Sequence, residues 1–202
     1  MNELSIQEKG QRNVIRTDGV ARAIKSSIHI DGNQNRIESG RGWVLNGLTI
    51  QITGDRNEVI IGDDCRVTGR FIQKLTPGNR IVVGRGVSMG GVNIIDGEGT
   101  EVQIGDDCML AFGIDLRTTD SHGIYDRDSG KRVNPGQSII IGNHVWIAAY
   151  ALLLGGSVVP SGSVVGTRSL VTGALEEPNA VYAGTPARLI RRNIRWERPL
   201  LG

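Results

Sequence analysis

Aromatic side chains are scarce, at 4% of 202 residues. A core with so few rings has to be built from aliphatic and small residues. Cysteine is scarcer: Cys65 and Cys108 are the only two, too few for a disulfide scaffold. No stretch reaches the roughly 18 uncharged apolar residues of a membrane span. The N-terminal MNELSIQEKGQRN lacks an apolar h-region and a small-residue cleavage site, so no secretory signal is expected. Together these absences predict a cytoplasmic protein without a membrane span. Charge of one sign is not in excess either. The formal net charge is +2, with no long single-sign run, which gives no reason to expect a nucleic-acid partner. Histidine occurs only at 29, 122 and 144, and His29 lies too far along the chain from the other two for a three-histidine metal site. What the chain has in excess is glycine, 29 residues of it, which calls for many tight turns.

The aliphatics carry a period of six. From Ile141 each sixth step lands on one: Ile147, Leu153, Val159, Val165, Val171. The residues four after the first five are Val145, Ala151, Ser157, Ser163 and Ser169, all modest or small. A helix turns about 100° per residue, so steps of six leave its first face. A strand keeps parity over six, yet a flat strand does not accommodate Pro160 and the intervening glycines. Short strands joined by tight turns do. Three hexads then make one triangular coil with an aliphatic inside each side. The register recurs at Ile104, Leu110, Leu116 and at Val83, Met89, Ile95. A longer repeat lies over it, in GNQNRIESG (32–40), GDRNEVIIG (54–62), GNRIVVG (78–84), GEGTEVQIG (97–105) and GQSIIIG (136–142). Val59, Ile81 and Val102 are 22 and 21 residues apart, which reads as an 18-residue coil with a few extra residues at one corner. The predicted class is all-β, a β-solenoid whose coils bury a core only by stacking. Cys65 and Cys108 fall on small inward positions two coils apart, about 9–10 Å at strand spacing. A disulfide needs Cα atoms within about 7 Å, so none is expected.

The repeat spans 28–177, is broken by a polar excursion over 117–138, and ends at Pro178; residues 1–27 receive no assignment. His122 opens the excursion in RTTDSHGIYD. An imidazole suits proton transfer near neutral pH, so His122 is either a general base or a loop histidine bonded to nearby aspartates. His144 falls at a corner and reads as a solvated turn residue; His29 should point outward. Trp146 also points outward by parity, either as part of a subunit interface or surface patch, or as a wall for substrate or cofactor. In the basic tail 178–202, Arg188, Arg191, Arg192, Arg195 and Arg198 have spacings of three and four that suit a short helix with a basic side. Such a face is either solvated or a contact for anions.

The hexads, with IGNHVWIAAYALLLGGSVV, VVGTRSLVT and YAGTPARLIRR, resemble the hexapeptide-repeat acetyltransferases across about residues 50–192. NRIVVG, TTDSHGIYD and the terminal RNIRWERP are most similar to their bacterial polysaccharide and polysialic acid O-acetyltransferase branch. The resemblance implies a left-handed parallel β-helix with the excursion loop and a short C-terminal helix or arm; crossover physics alone favours the opposite hand. It implies acetyl-CoA as co-substrate, a saccharide acceptor such as a capsular or surface polysaccharide, and a homotrimer with active sites between subunits. His122 matches the family's catalytic histidine and Trp146 its tryptophan beside acceptor and thioester. Ala149, Thr167, Thr172, Gly173, Arg188 and Arg191 match cofactor contacts. Asn93, in GVNIID, matches an acceptor contact, and Asp120 is the acid expected to orient the imidazole at the acceptor side. The chain departs from the family with VWIA, which puts Ala148 where glycine is common, and with GTRS for GAGS, which brings Thr167 and Arg168 to the cofactor path. Two other readings stand beside this one: a small-molecule acetyltransferase acting on an antibiotic or thiogalactoside-like acceptor, and a non-catalytic structural solenoid.

Overall fold

A backbone that points an aliphatic inward at every sixth residue has to turn a corner between them. The computed structural model, which describes residues 4–17, 19–74 and 76–199, winds as a parallel β-solenoid of about eight turns. Its first side is a seven-stranded sheet of Val14–Arg16, Arg36–Ser39, Glu58–Ile61, Arg80–Val83, Glu101–Ile104, Ile139–Ile141 and Val158–Val159, stacked in that order. The second and third sides share a thirteen-stranded sheet. They merge because Trp43–Thr53, Arg66–Lys74, Ser88–Gly97 and Met109–Arg117 run through the corner between them, with a shift in pairing there. After the excursion the two sides separate into Trp146–Ile147 and Leu152–Leu154. Leu4–Lys9, Val14–Arg16 and Val20–Ile24 stack in parallel on the following turn, so the N-terminal segment that the sequence left unassigned carries coil strands as well.

The hexads point inward. Ile141, Ile147, Leu153, Val159, Val165 and Val171 are at most 1% exposed, as are Val145, Ala151, Ser157, Ser163 and Ser169. One upstream position departs from the expected register: Ile94 is buried and Ile95 faces outward. The corner at Gly91 is one residue shorter than the later corners, and the pairing with the next strand shifts between Gly91 and Val92. Rungs stand 22 residues apart early in the chain (Val59 on Ile81) and 18 apart late (Ile141 on Val159). Cys65 and Cys108 are buried free thiols, each donating to a glycine carbonyl of the following turn, Gly84 and Gly142, at 3.1 Å. Burial lifts both to about 11, so neither is a thiolate nucleophile near neutral pH.

The repeated phrase has a physical reading. A Cβ on Gly105 would lie 2.7 Å from the Gly142 carbonyl carbon, so the turns approach too closely there for any side chain. The next residue caps the corner: Asp106 Oδ1 accepts the Arg85 N–H, and Asn143 Oδ1 accepts the Asp106 N–H, both at 2.8 Å. At another corner asparagines stack. Asn13, Asn35 and Asn57 each use Oδ1 to accept both the backbone N–H and the side-chain amide of the next asparagine, 22 residues on. Buried amides are tolerated because each is satisfied by its neighbour.

The tail is not helical; among the described residues there is no helix. Val181–Gly184 adds a further parallel rung on Val164–Val165, beyond Pro178, and Ala187–Arg191 turns back on it as an antiparallel strand. Arginine spacing does not register an open sheet edge, and that edge supplies the hydrogen bonds a short helix would have had to make alone. The arm that follows packs Trp196 against the coil.

Asn57→Ala should cost about 2–4 kcal/mol, because it leaves the buried Asn79 backbone N–H without an acceptor and removes one bond of the Asn79 amide, which keeps only the Thr76 carbonyl at 2.6 Å and the distant Lys74 carbonyl. Urea unfolding of this variant against Asn13→Ala, at the less buried end of the stack, checks it; equal midpoints would refute the ladder's role.

Candidate active site

The excursion leaves after Arg117 and returns at Ile139, which pairs with Val102 as if no chain intervened. It carries a small hairpin in which Tyr125 bridges Arg132, and the Val133 N–H donates to the Ile124 carbonyl at 2.8 Å. His122 lies between the loop's root and this hairpin, exposed. Its ring makes no hydrogen bond among the described residues, while its carbonyl accepts from Asn134 Nδ2 at 2.8 Å. The same Asn134 amide donates to Asp120 Oδ2 at 2.8 Å. Asp120 therefore acts on the backbone around His122 through Asn134 rather than on the imidazole, which differs from the direct contact expected.

A buried polar group sits beneath the root. Asp96 Oδ1 accepts from the hydroxyls of Thr100 at 2.8 Å and Thr118 at 3.2 Å, and Oδ2 accepts from Gln73 Nε2 at 3.2 Å. Burial outweighs these bonds and raises Asp96 to about 6. Above it a cleft of about 240 Å³ opens between loop and coil, lined by Arg117, Thr119, Asp120, Asn134 and Thr172 among others. Thr172 and Gly173 follow the last strand of the third side, so these two expected cofactor residues lie at the loop's corner.

Trp146 opens the second side and stands on its outer face between Met109 and Val164, 36% exposed. The tail reaches it. The Trp196 ring lies 6.1 Å from Trp146 and stacks on His144 at 4.1 Å, while Trp196 Nε1 donates to the His144 carbonyl at 3.0 Å. His144 is a corner residue, with φ of 52°, but it is not merely solvated: Nδ1 faces Asp107 Oδ2 at 2.7 Å and Nε2 faces the Trp196 carbonyl at 3.1 Å. Arg198 completes the clasp on Asp107 Oδ1 at 2.9 Å and on the carbonyls of Gly86 and Cys108 at 3.0 Å. These partners lie 37 to 112 residues apart, so no local sequence signal announces them.

Beside the Trp146 column runs a smooth one. Gly90 abuts Ala111, and Gly166 abuts Ala183. Continuing the strand register by one residue sets Ala148 between Ala111 and Gly166. Ala148 thus adds one more methyl to a strip of small residues. The neighbouring corner holds Ala149, whose carbonyl accepts the Arg168 N–H at 3.0 Å, together with Thr167. Arg168 lies over the Tyr150 ring at 5.6 Å. Arg188 pairs with Ala183 at the end of the strip, and Arg191 with Val181. The five tail arginines divide: Arg192, Arg195 and Arg198 are paired with Glu177, Glu197 and Asp107, whereas Arg188 and Arg191 have no carboxylate partner among the described residues.

The structure gathers His122, Asp120, Thr172 and Gly173 at one corner, and Trp146, Ala149, Thr167, Arg188 and Arg191 along the second side. Asn93 stands apart, on the outer face of the third side between Arg70 and Asp115. Within one chain no hydrogen bond or ring contact joins His122 to Trp146. His29 faces outward with Nδ1 at 3.2 Å from Gln7 Oε1, in the N-terminal turns. Among the described residues no group of three or more His, Cys, Asp or Glu is arranged to hold a metal ion.

Over 193 residues, 96% of this chain, the sequence is 32% identical to a polysialic acid O-acetyltransferase of Neisseria meningitidis, covering 89% of that protein. The fold matches the crystal structure of the polysialic-acid-specific acetyltransferase NeuO with a TM-score of 0.90 and 31% identity, over 98% of this chain and 91% of the other. The chain belongs to the polysialic acid O-acetyltransferase family. A second member of known structure, the polysialic acid O-acetyltransferase OatWY, matches with a TM-score of 0.87 and 31% identity, over 98% and 93%. No family profile matches the chain. Family membership makes the solenoid a left-handed β-helix and the protein an acetyltransferase, which removes the reading of a non-catalytic scaffold.

Folded Asp96 binds its proton more tightly than the unfolded chain, whose carboxyl titrates near 3.8. That stabilisation is full below about pH 4 and is lost as pH rises through about 6, a change on the order of 2–3 kcal/mol. Asp96→Asn should flatten this fall in a chemical-denaturation profile from pH 4 to 7. An unchanged profile would show that Asp96 does not titrate there.

Proposed function

We propose that this protein transfers an acetyl group from acetyl-CoA directly to a hydroxyl of a saccharide, a capsular or surface polysaccharide, with His122 as general base. The observation that carries this is the match to polysialic acid O-acetyltransferases over nearly the whole chain. Two features of the site support the mechanism. His122 is exposed with an uncommitted ring on a tethered loop, and both cysteines are buried thiols unsuited to a covalent acyl-enzyme. His122 takes the hydroxyl proton as the acceptor oxygen attacks the thioester carbonyl, and returns it to the departing CoA sulfur. Asp120 and Asn134 hold the backbone that carries the imidazole. Asn93 is assigned to a more distant part of the acceptor.

The strip of small residues from Gly90 to Ala183 suits an extended, slender pantetheine arm running along the coil axis. Ala149 and Thr167 flank it, and Arg188 and Arg191, with no carboxylate partner among the described residues, offer guanidinium groups to phosphate at its end. Thr172 and Gly173 belong to the loop corner, and Trp146 to the second side. A homotrimer reconciles these positions: the loop of one subunit closes on the second side of its neighbour, so that His122 and Trp146 face one reaction centre. Free buried thiols fit a reducing compartment, and we assign the reaction to the cytoplasm.

His122→Ala should lower turnover by about 10²–10⁴-fold while leaving the melting temperature close to the parent's, since the exposed ring makes no hydrogen bond among the described residues. Acetyl transfer at the parent rate would sink the assignment. Arg188→Glu/Arg191→Glu should raise the KM for acetyl-CoA by about tenfold or more, with kcat at saturation retained. Steady-state kinetics with varied acetyl-CoA tests it, and an unchanged KM would remove both arginines from the cofactor path.

A further inference from the structure

In GQRN (10–13), GNQN (32–35), GDRN (54–57), TPGN (76–79) and GEGT (97–100), the phrase that opens the corner before the first side holds a polar residue or proline at its second position. In the early turns this residue works within the coil: Asn33 Oδ1 accepts the Gln11 N–H at 2.9 Å, and Asp55 Oδ1 accepts the Asn33 N–H at 2.7 Å. Glu98 occupies the same position in GEGT, with a longer side chain and a left-handed φ of 67° followed by Gly99 at 69°. It turns outward to the excursion loop instead. Glu98 Oε1 accepts from the Thr119 hydroxyl, three residues before His122. Arg132, ten residues after His122, donates Nη1 to Oε2 at 2.6 Å and Nη2 to Oε1 at 2.9 Å, in a bidentate fork. The Gly136 N–H donates to Oε2 at 3.1 Å, and a Cβ on Gly136 would lie 2.9 Å from Glu98 Cβ. One carboxylate thus grips both feet of the loop and its returning strand. The Arg132 guanidinium and the Thr119 hydroxyl hold it ionised down to about 2.

We infer that Glu98 is the positioning residue for His122, fixing the loop so that the imidazole meets the acceptor hydroxyl at the thioester. Glu98 touches neither substrate nor reacting atoms; it acts by joining Thr119, Arg132 and Gly136 to the rigid coil. The inference rests on the reading of His122 as the base. The cofactor contacts assigned to Ala149, Thr167, Arg188 and Arg191 lie along the second side, and Thr172 and Gly173, though at the loop's corner, follow the coil strand Leu170–Val171 and share no hydrogen bond with Glu98, so loosening the loop should leave acetyl-CoA binding largely intact.

The test compares Glu98→Ala, Glu98→Gln and His122→Ala in the full chain, by kcat, KM for acetyl-CoA, melting temperature and trypsin cleavage at Arg127 and Lys131. Glu98→Ala should lose at least about 30-fold in kcat, keep the acetyl-CoA KM within about twofold, and become cleavable in the loop. Glu98→Gln keeps acceptor capacity but not the charge, and should fall between it and the parent. Parent-like kcat in both Glu98 variants with an inactive His122→Ala would overturn the positioning role alone. A joint collapse of melting temperature and acetyl-CoA binding in both Glu98 variants would also overturn it, by making Glu98 a general structural residue. An active His122→Ala would overturn the catalytic reading and the positioning role with it.

Discussion

Every feature of this molecule depends on the in-register stacking of one turn upon the next. Backbone N–H and C=O groups of each side bond only to the turns above and below, along the coil axis, so a rung without its neighbour is unsatisfied. Stacking also places like upon like. Ile141 sits on Val159, Ile147 on Val165 and Leu153 on Val171, and the buried asparagines satisfy one another in the same manner. The corners obey the same rule: Asp64, Asp107 and His144 all adopt left-handed backbone at one corner. A residue is constrained there by its place in a column as much as by its chain neighbours.

Columns also organise the outer surface. Trp146 belongs to one with Met109 and Val164, and the small residues from Gly90 to Ala183 form the next. A furrow with one aromatic wall and a smooth floor follows from two adjacent columns of different size. The arm that ends the chain finishes the aromatic wall from outside, through Trp196 on His144.

The hexads were legible because inward positions recur at fixed intervals, and the burial of Val145, Ala151 and the serines followed from the same count. The residue facing in near position 95 was not, because two adjacent glycines shorten one corner and hexad counting cannot see a corner's length. The tail misled because arginines spaced three and four apart carry no information about a free sheet edge nearby. His122 and Trp146 stood out as chemically unusual on a repetitive background. Glu98 did not, since GEGT reads as one more version of the repeated phrase, and the left-handed backbone and outward side chain that separate it from Asp55 show only in the structure. The clasp of Asp107, His144, Trp196 and Arg198 joins residues that are distant in sequence and adjacent only across stacked turns.

The direct pairing of Val102 with Ile139 has a broader meaning. The excursion is spliced between two consecutive rungs without altering either, and lengthening a loop whose ends are already fixed costs little. The coil is thus a chassis and the excursion a cassette, whose sequence can drift without disturbing the stack so long as its first and last residues still dock. One short hairpin can be exchanged in such a lineage while the much larger solenoid keeps both its winding and the strip of small residues on its second side.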